Sequence, residues 1–465
     1  YSGNLVPERA FFGGLRHANV RTDSFLLQKR TDMTFRLERR SLLSAAASAA
    51  LLGPAAAVNA QLRIEITGVG ANQIPLAYAP MNGAAETGID PMRVVAADLS
   101  RTGAFRIIVG EAEATLEETV RPNLEFWRGK EAAMLATGSI IRLADGTWDI
   151  RYRLFDTVQN AEVDRGQWIT DNRQLRMTAH RIADRIYTKL TGLGALFASR
   201  LAYVAEYSKK SFELIVADSD GANALPALKS REPIISPAWS PDGKQLAYVS
   251  FEAQKPVVYI HTVATGRRRV LANFRGNNSA PAFSPDGKKV ALALSRDGFT
   301  QIFMINTDGT GVSRFSHSYA IDTEPVFSPD GKYIYFTSDR GGSAQIYRQA
   351  LEGGTPAERV TFGADYAVSP ALNPDGTVLT YVTRVAGRFR VTAMDLASGQ
   401  EMILTNNAAD ESPCFSPNGQ MIVYATERAK RGVLATVSTD GAVHAWLTGP
   451  AGDIREPTWG PLIVD

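Results

Sequence analysis

Residues able to supply a catalytic nucleophile are scarce in this sequence. The chain contains one cysteine, Cys414, and it stands within an apolar stretch typical of a β-strand. A thiol in such a stretch is predicted to be buried rather than reactive. The chain also lacks the Gly-x-Ser-x-Gly motif with which many hydrolases expose a catalytic serine. Nucleophilic hydrolysis is therefore not predicted.

Metal and cofactor chemistry lacks a motif as well. No two histidines have the His-x-His or His-x-x-x-His spacing, so a zinc site would need residues far apart in sequence to meet in the fold. The five histidines are His17, His180, His261, His317 and His444. No Gly-x-Gly-x-x-Gly follows a predicted strand, which leaves a dinucleotide site unsupported. We predict no metal, no cofactor and no enzymatic activity.

Four aspartates recur at regular spacing and could suggest calcium. They are Asp242, Asp286, Asp330 and Asp375. Each lies in a Pro-Asp-Gly sequence, where proline sets φ, aspartate accepts local backbone hydrogen bonds and glycine adopts the left-handed conformation. These aspartates are therefore predicted to cap tight turns between strands.

The turn motif belongs to a repeat that organises the C-terminal part of the chain. Its glycines are Gly243, Gly287, Gly331, Gly376 and Gly419, which are 44, 44, 45 and 43 residues apart. Each motif is followed by apolar strand patterns and further turns, giving four short strands per repeat. Four strands in about 44 residues are typical of one β-propeller blade.

The two ends of the repeat region predict how the ring closes. Leu201–Val204 matches Leu246–Val249 of the next repeat, yet no Ser-Pro-Asp-Gly precedes it. Glu456–Pro461 instead stands one repeat length beyond Cys414–Phe415. We predict that this last segment supplies the missing innermost strand of the first blade. Residues 197–465 then form a six-bladed all-β propeller without exposed sheet edges.

Residues 61–196 do not share the repeat. Leu62–Ile66 alternates as a strand, Asp90-Pro91 is typical of a helix start, and Asp145-Gly146 favours a hairpin. A second helix is predicted from about 173 to 190 and ends before Gly192. The fold class is therefore α+β multidomain, with an N-terminal α/β domain followed by the propeller.

The sequence that starts at Met33 has the order of features of an export signal. Basic residues at 36–40 precede an apolar stretch at 42–58, and Val58-Asn59-Ala60 fits a small-residue cleavage site. Cleavage is predicted between Ala60 and Gln61. We expect residues 1–32 to be an upstream extension, 33–60 to be the signal peptide, and the mature protein to be periplasmic.

The apolar stretch is a poor membrane span. It is short and rich in alanine, and Gly53 and Pro54 interrupt it, so stable membrane insertion is not expected. Arg39-Arg40 approximates a twin-arginine signal but Ser44 departs from it, which leaves the general secretory and twin-arginine routes both open.

Charge argues against a nucleic-acid partner. The chain has 50 Lys+Arg and 48 Asp+Glu, and its first 60 residues hold eight of the bases but only four of the acids. The rest of the chain is therefore slightly acidic, whereas nucleic-acid binding depends on clustered positive charge.

One polar pattern favours binding. Short polar stretches ending in proline precede the predicted innermost strands, and in a propeller they would converge on one mouth of the central channel. They span 277–281, 322–325, 367–370, 410–413 and 455–457. The alternative is that each stretch merely solvates the start of a strand.

Residues 61–465 resemble the TolB family, the periplasmic propeller proteins of the Tol-Pal envelope system. The resemblance is carried by the domain order, by the repeats and by the junction at His180–Tyr187, Leu190-Thr191-Gly192 and Arg200–Val204. It implies a monomeric, non-catalytic adaptor that binds the lipoprotein Pal at the channel mouth and the inner-membrane protein TolA. It also implies a role in outer-membrane integrity and in constriction during cell division.

The resemblance also implies site residues. The Pal-contacting positions would be Asn277, Asn278, Ala280, Thr323 and Glu324. The TolA-binding positions would be Gln61, Leu62, Arg63, Ile64, Glu65 and Ile66. Family members often carry histidine where Asn277 stands, so this polar contact differs here. We expect the Glu324 carboxylate to be exposed at the mouth and to contribute little to folding. The alternative function is a propeller-based hydrolase or small-ligand sensor that uses the central channel.

Overall fold

The computed structural model describes residues 73–109, 120–447 and 449–463. The predicted extension 1–32, the signal peptide 33–60 and the TolA-binding positions Gln61–Ile66 lie outside the described residues. Arg63–Asp465 forms one compact unit. None of the described helices has both the length and the apolar character needed to cross a bilayer.

The N-terminal part combines three helices with one five-stranded sheet. Its elements are β1 (Ile74–Tyr78), α1 (Pro91–Arg101), β2 (Phe105–Val109), α2 (Leu124–Gly129), β3 (Met134–Arg142), β4 (Trp148–Asp156), β5 (Ala161–Thr170) and α3 (Leu175–Thr191). The strand order is β2-β1-β3-β4-β5. The first three strands are parallel, and β4 and β5 continue the sheet as antiparallel hairpins.

Local signals in the sequence set the bounds of these elements. The Asp90 carboxylate accepts the Met92 N–H at 3.0 Å and caps α1. Gly192 ends α3 with φ of 74°, and Gly146 turns the β3–β4 hairpin with φ of 85°. Helices α1 and α3 and the β3–β4 hairpin confirm the sequence predictions. Strands β1 and β5 and helix α2 were not predicted.

Six four-stranded antiparallel sheets follow, one for each blade. In chain order the strands are β6 (Ser199–Ser208), β7 (Ser211–Asp218), β8 (Leu225–Ser230), β9 (Ile234–Trp239), β10 (Gln245–Ser250), β11 (Val257–Thr262), β12 (Arg267–Ala272), β13 (Asn278–Phe283), β14 (Lys289–Leu294), β15 (Gln301–Asn306), β16 (Ser313–Arg314), β17 (Asp322–Phe327), β18 (Tyr333–Ser338), β19 (Gln345–Ala350), β20 (Glu358–Arg359), β21 (Ala367–Leu372), β22 (Val378–Val385), β23 (Arg388–Asp395), β24 (Glu401–Ile403), β25 (Glu411–Phe415), β26 (Met421–Arg428), β27 (Arg431–Ser438), β28 (His444–Trp446) and β29 (Asp453–Leu462). Blade 1 contains β29 and β6–β8, and blades 2 to 6 take the remaining strands in order.

The repeated Ser-Pro-Asp-Gly sequence forms the turn between the first two strands of a blade. In blade 2 the Ser240 hydroxyl donates to Asp242 at 2.6 Å and accepts the Gln245 N–H at 2.9 Å. Gly243 has φ of 66°, which glycine adopts at low cost. In blade 5 Asn373 replaces the serine, and its side-chain oxygen accepts the Val378 N–H at 2.9 Å. Asp242, Asp286 and Asp330 therefore have the turn-capping role predicted for them, whereas in blade 5 Asn373 supplies the capping oxygen.

The last strand closes the ring. Strand β29 pairs antiparallel with β6, and Trp459 lies opposite Leu201. The Trp459 indole N–H donates to the Ser199 hydroxyl at 2.8 Å, while its backbone N–H lies 3.2 Å from Cys414 Sγ. Burial raises the pKa of the Cys414 thiol. The predicted closure by the C-terminal strand is confirmed, and Cys414 packs within it.

Antiparallel pairing gives the propeller two distinct ends. The mouth end carries the connections between blades and those between the second and third strands of each blade, and here the innermost strands begin. The junction end carries the other connections. Asn418 at the junction end donates to the Gly194 carbonyl at 2.7 Å, and Arg101 of α1 donates to the Ser219 carbonyl at 3.2 Å. The α/β domain therefore docks at the junction end.

The apolar core continues across this docking surface. A single cluster of buried side chains includes Leu99 and Ile186 of the α/β domain together with Tyr203, Val423 and Trp459 of blades 1 and 6. Burying these side chains against one another stabilises both parts at once. The two parts are thus joined by a shared core.

Asp184 fixes the linker that enters the propeller. Its carboxylate accepts backbone N–H groups from Leu196, Phe197 and Ala198 at 2.6, 2.8 and 2.7 Å. Burial raises the pKa of Asp184 to about 6 even though these hydrogen bonds favour the charged form. Asp184 therefore holds the segment between α3 and β6 together with Asn418 and Ser219, which donate to the Gly194 and Phe197 carbonyls.

A buried group of ionisable side chains, the junction cluster, joins α1 and α3 to the end of β7 and its following turn. Its members are Asp98, Arg101, Arg176, His180, Asp218 and Asp220. His180 and Asp98 are fully buried and lie 2.5 Å apart. Arg101 also pairs with Asp98 at 2.5 Å, and Arg176 pairs with Asp218 at 3.1 Å and with Asp220.

The junction cluster stabilises the charged form of its histidine. Burial lowers the pKa of His180, but the charge of Asp98, the hydrogen bond to Asp98 and the nearby Asp218 carboxylate outweigh burial and raise it to about 10. Burial also raises the pKa of Asp220, but the charges of His180, Arg101 and Arg176 lower it to about 2. The cluster is thus a set of paired charges at neutral pH.

We predict that Trp459→Ala destabilises the ring by about 3–5 kcal/mol, because it removes a large buried side chain and leaves the Ser199 hydroxyl without its donor. The midpoint of guanidinium-induced unfolding should be clearly lower for Trp459→Ala than for the wild type. Trp446→Ala is the matched control, since Trp446 is half-buried on the outer strand of blade 6. Equal midpoints for the two variants would contradict the role given to Trp459.

A pH series tests the junction cluster. The folded pKa of His180 lies above its unfolded value of 6.5, so its stabilisation is complete below pH 6.5 and is lost as pH rises through about 10. The wild-type melting temperature should therefore fall more steeply between pH 7 and 10 than that of His180→Gln. The comparison removes the effect of other groups that titrate in this range. Parallel curves would show that His180 is not held in its charged form.

Candidate functional site at the mouth of the propeller

Six unusual backbone positions line the start of the innermost strands. Each is a residue with positive φ directly before a proline, and φ lies between 49° and 55° at all six. They are Ser236, Ala280, Glu324, Ser369, Ser412 and Glu456. At each of them the pairing with the second strand of the blade shifts register, which identifies a β-bulge.

The bulges correct the sequence interpretation of this region. The polar stretches were expected to be loops that precede the strands, but most of their residues lie inside β13, β17, β21, β25 and β29. A bulge tolerates proline within a strand because the missing N–H is not needed for pairing there. Residues before proline normally avoid this region of φ, so each position is strained by about 1–3 kcal/mol.

The sequence analysis missed the sixth bulge. Ser236-Pro237 in β9 has the same geometry, but the preceding residues Ile234 and Ile235 are apolar, so no polar stretch marked the position. A search for a residue-proline pair three or four positions before each turn motif would have found it.

Glu324 is bonded across two blades. Its carboxylate accepts the Ser369 N–H at 2.9 Å and the Ser369 hydroxyl at 3.1 Å from the next blade. It also accepts the Thr337 hydroxyl at 2.7 Å within its own blade. The expectation that Glu324 is exposed and contributes little to folding is therefore wrong, because hydrogen bonds to its carboxylate connect blade 4 to blade 5.

A second glutamate makes the same connection where the ring closes. The Glu456 carboxylate of β29 accepts the Ser236 N–H of blade 2. In both cases the carboxylate of one bulge satisfies the backbone N–H of the next bulge, a group that is not paired within its own sheet. These interblade bonds explain how neighbouring strained positions are held in place.

The other predicted Pal-contacting residues differ in accessibility. Asn278 is fully buried, and its amide bonds to the backbone of Phe274 at 2.9 Å and of Gly276 at 3.1 Å. Asn277, Ala280 and Thr323 are half-buried. Of the five predicted residues, Asn278 and Glu324 hold the local structure, and the other three remain partly accessible.

Burial shapes the electrostatics of the mouth. The pKa of Tyr366 is raised to about 12, first by burial and then by the charge of Glu324. Asp322, which lies on β17 like Glu324, is fully buried, and its carboxylate pairs with the Arg340 guanidinium at 2.9 Å. The acidic groups of β17 are therefore satisfied by the protein's own donors.

One metal-like group is present among the described residues, but it is not at the mouth. His180, Asp218 and Asp220 have ligand atoms within 4.8 Å of one another. A protonated imidazole cannot ligate a metal, and Arg176 already pairs with both carboxylates. This group belongs to the ionic pairing of the junction cluster.

Comparison with known proteins gives the same two-part organisation. The TolB amino-terminal domain family matches residues 62–163, and the TolB beta propeller domain family matches residues 187–463. Both matches agree with the order of the α/β domain and the propeller in the structure.

Curated relatives match over nearly their whole length. The Tol-Pal system protein TolB of Bordetella avium is 49% identical over 406 residues, which cover 87% of this chain and 91% of the relative. That of Dechloromonas aromatica is 50% identical over 426 residues, covering 92% and 98%.

A solved structure agrees with these relatives. The crystal structure of TolB from Acinetobacter baumannii matches with a TM-score of 0.77 at 36% identity, and the match covers 86% of this chain and 100% of that one. Two domain families matched in order, together with relatives of about half-identical sequence, show that this chain belongs to the TolB family of Tol-Pal system proteins.

Proposed function

We propose that the protein is a non-catalytic periplasmic adaptor of the Tol-Pal system, supporting outer-membrane integrity and constriction during cell division. In this proposal the mouth end binds Pal, and residues 61–66 bind TolA. The observation that carries the Pal site is the ring of six bulged strands at the end of the propeller opposite the α/β domain.

The mouth suits a protein partner because its backbone is already fixed. Hydrogen bonds from the Ser369 N–H to Glu324 and from the Ser236 N–H to Glu456 connect neighbouring blades in the absence of a partner. A preorganised surface loses less conformational entropy on association. Strained backbone positions also tend to gather at binding sites, where other contacts hold them in place.

The proposed TolA segment is tethered at a different place. It precedes Gln73, whose side-chain amide donates to the carbonyls of Gly103 and Phe105 at 3.1 Å each. The proposed TolA segment is therefore joined in sequence to the α/β domain, which docks at the junction end. Its alternating residues predict a strand, and a strand-forming segment suits addition to the edge of a partner's sheet.

We expect Thr323→Arg to weaken Pal binding at least tenfold, because a long charged side chain on β17 would protrude into the proposed interface. Thr265→Arg is the matched control, since Thr265 is exposed in a turn at the junction end. Calorimetric titration with the periplasmic domain of Pal measures both affinities, and thermal melts verify that both variants fold.

Wild-type affinity in the folded Thr323→Arg variant would remove the mouth from the Pal site. No binding of Pal by the wild-type protein would refute the adaptor function itself. A co-purified small molecule or a hydrolytic activity would instead support the alternative of a sensor or hydrolase that uses the channel.

Deletion of residues 61–66 from the mature chain should abolish TolA binding and leave Pal affinity within about twofold. The deletion keeps Gln73 and its two hydrogen bonds, so the α/β domain should stay folded. Surface plasmon resonance against the C-terminal domain of TolA measures the loss. Unchanged TolA affinity would show that the binding residues lie elsewhere.

A further inference from the structure

Two exposed aromatic side chains at the mouth end contact each other without a role in the core. Tyr319, in the connection from blade 3 to blade 4, is 94% exposed. Phe299, between β14 and β15, is 51% exposed. Their rings meet nearly at right angles with centroids 6.5 Å apart. Most large apolar side chains of the described residues are buried. An exposed pair of aromatic rings in contact with each other is therefore typical of an interaction site.

The backbone on both sides of Tyr319 is fixed by one buried side chain. Gln301 is 1% exposed, and its amide nitrogen donates to the Ser318 hydroxyl at 3.0 Å and to the Ala320 carbonyl at 2.8 Å. Its amide oxygen accepts the Ser318 N–H at 2.8 Å. The residues before and after Tyr319 are therefore held in place while its own side chain points outward.

Two aspartates strengthen the same connection. The Ser318 hydroxyl lies 3.0 Å from the buried carboxylate of Asp322, which Arg340 also binds. The Ile321 N–H donates to Asp339 at 2.8 Å. A connection bonded this densely keeps Tyr319 in position before binding, so little further entropy is lost when a partner closes over it.

The shape of the pair favours a macromolecule over a small ligand. Small ligands bind in concave sites that enclose most of their surface, whereas a side chain that is 94% exposed protrudes. Protruding aromatic residues instead insert into pockets of a partner protein and dominate binding energy there. The partner must therefore have an apolar pocket, called the socket below, that receives the two rings.

The charge of the mouth end indicates what surrounds that socket. Bases outnumber acids in the connections at this end when Arg340, which pairs with Asp322, and the buried Asp410 are set aside; the bases are Lys209, Lys210, Arg231, Lys255, Arg275, Arg296 and Lys430, and the acids are Glu232, Glu252, Asp297, Asp339 and Asp365. The junction end has the opposite excess, with Lys244, Lys288 and Lys332 against Asp220, Asp242, Asp286, Asp308, Asp330, Glu352, Asp375 and Asp440. Complementary potential favours an acidic partner at the mouth.

We propose that Phe299 and Tyr319 form the apolar anchor of the mouth surface and insert into an apolar socket, rimmed by acidic residues, on the protein partner. The inference rests on the proposed function, in which that partner is Pal. It assigns the main apolar contact to two residues that lie outside the inner strands.

Calorimetric titration of Pal into Tyr319→Ala and Phe299→Ala tests the anchor. Each variant should bind at least tenfold more weakly than the wild type, with an unchanged melting temperature because neither ring is buried in the core. Phe126→Ala is the matched control, since Phe126 is 53% exposed on α2 of the α/β domain. Tyr319→Phe should bind like the wild type because it keeps the ring.

The outcomes separate this inference from the proposed function. Wild-type affinity in both alanine variants would overturn the anchor while leaving Pal binding intact. An equal loss in Tyr319→Phe and Tyr319→Ala would overturn its apolar character. Binding of phosphatidylglycerol vesicles that depends on the pair, with Pal affinity unaffected, would assign the pair to a membrane and overturn a protein socket. No Pal binding by the wild type would instead refute the proposed function.

Discussion

The pairing of β29 with β6 is the constraint on which the remaining structure depends. It joins the two ends of the propeller region, so that blade 1 receives its innermost strand and the six blades form a closed ring. The same strand carries Trp459 into the core that blades 1 and 6 share with the α/β domain. Because that core spans both parts, ring closure and docking of the α/β domain stabilise each other.

Much of this architecture could be predicted because its signals are local. The turn motif that contains Asp242 and Gly243 specifies its hairpin within five residues, and its spacing counts the blades. Asp90 and Gly192 likewise mark the ends of two helices. Strand β1 gave no such signal, since Ile74–Tyr78 is a short apolar run without a turn motif beside it.

The candidate site was harder to predict because its determinants lie far apart in sequence. The carboxylate of Glu324 accepts hydrogen bonds from Ser369, one blade later, and Glu456 meets Ser236 across 220 residues. The bulges contradict local preference, since a residue before proline rarely has positive φ. Packing of six strands around one axis stabilises that conformation, and at Ser369 and Ser236 the carboxylates of Glu324 and Glu456 also accept the backbone N–H.

These bonds also decide which residues remain available to a partner. Asn278, Asp322 and Glu324 have the polar side chains expected of a recognition site, yet their hydrogen bonds are already used within the ring and its connections. Exchanging those bonds for contacts with a partner would leave buried groups unsatisfied and weaken the blades. Under the proposed function, recognition falls to side chains that the ring does not use, which include Thr323 and side chains on the connections at the mouth end. The inner strands give the mouth its rigidity, and side chains such as Tyr319, which project from a fixed backbone, can give it specificity.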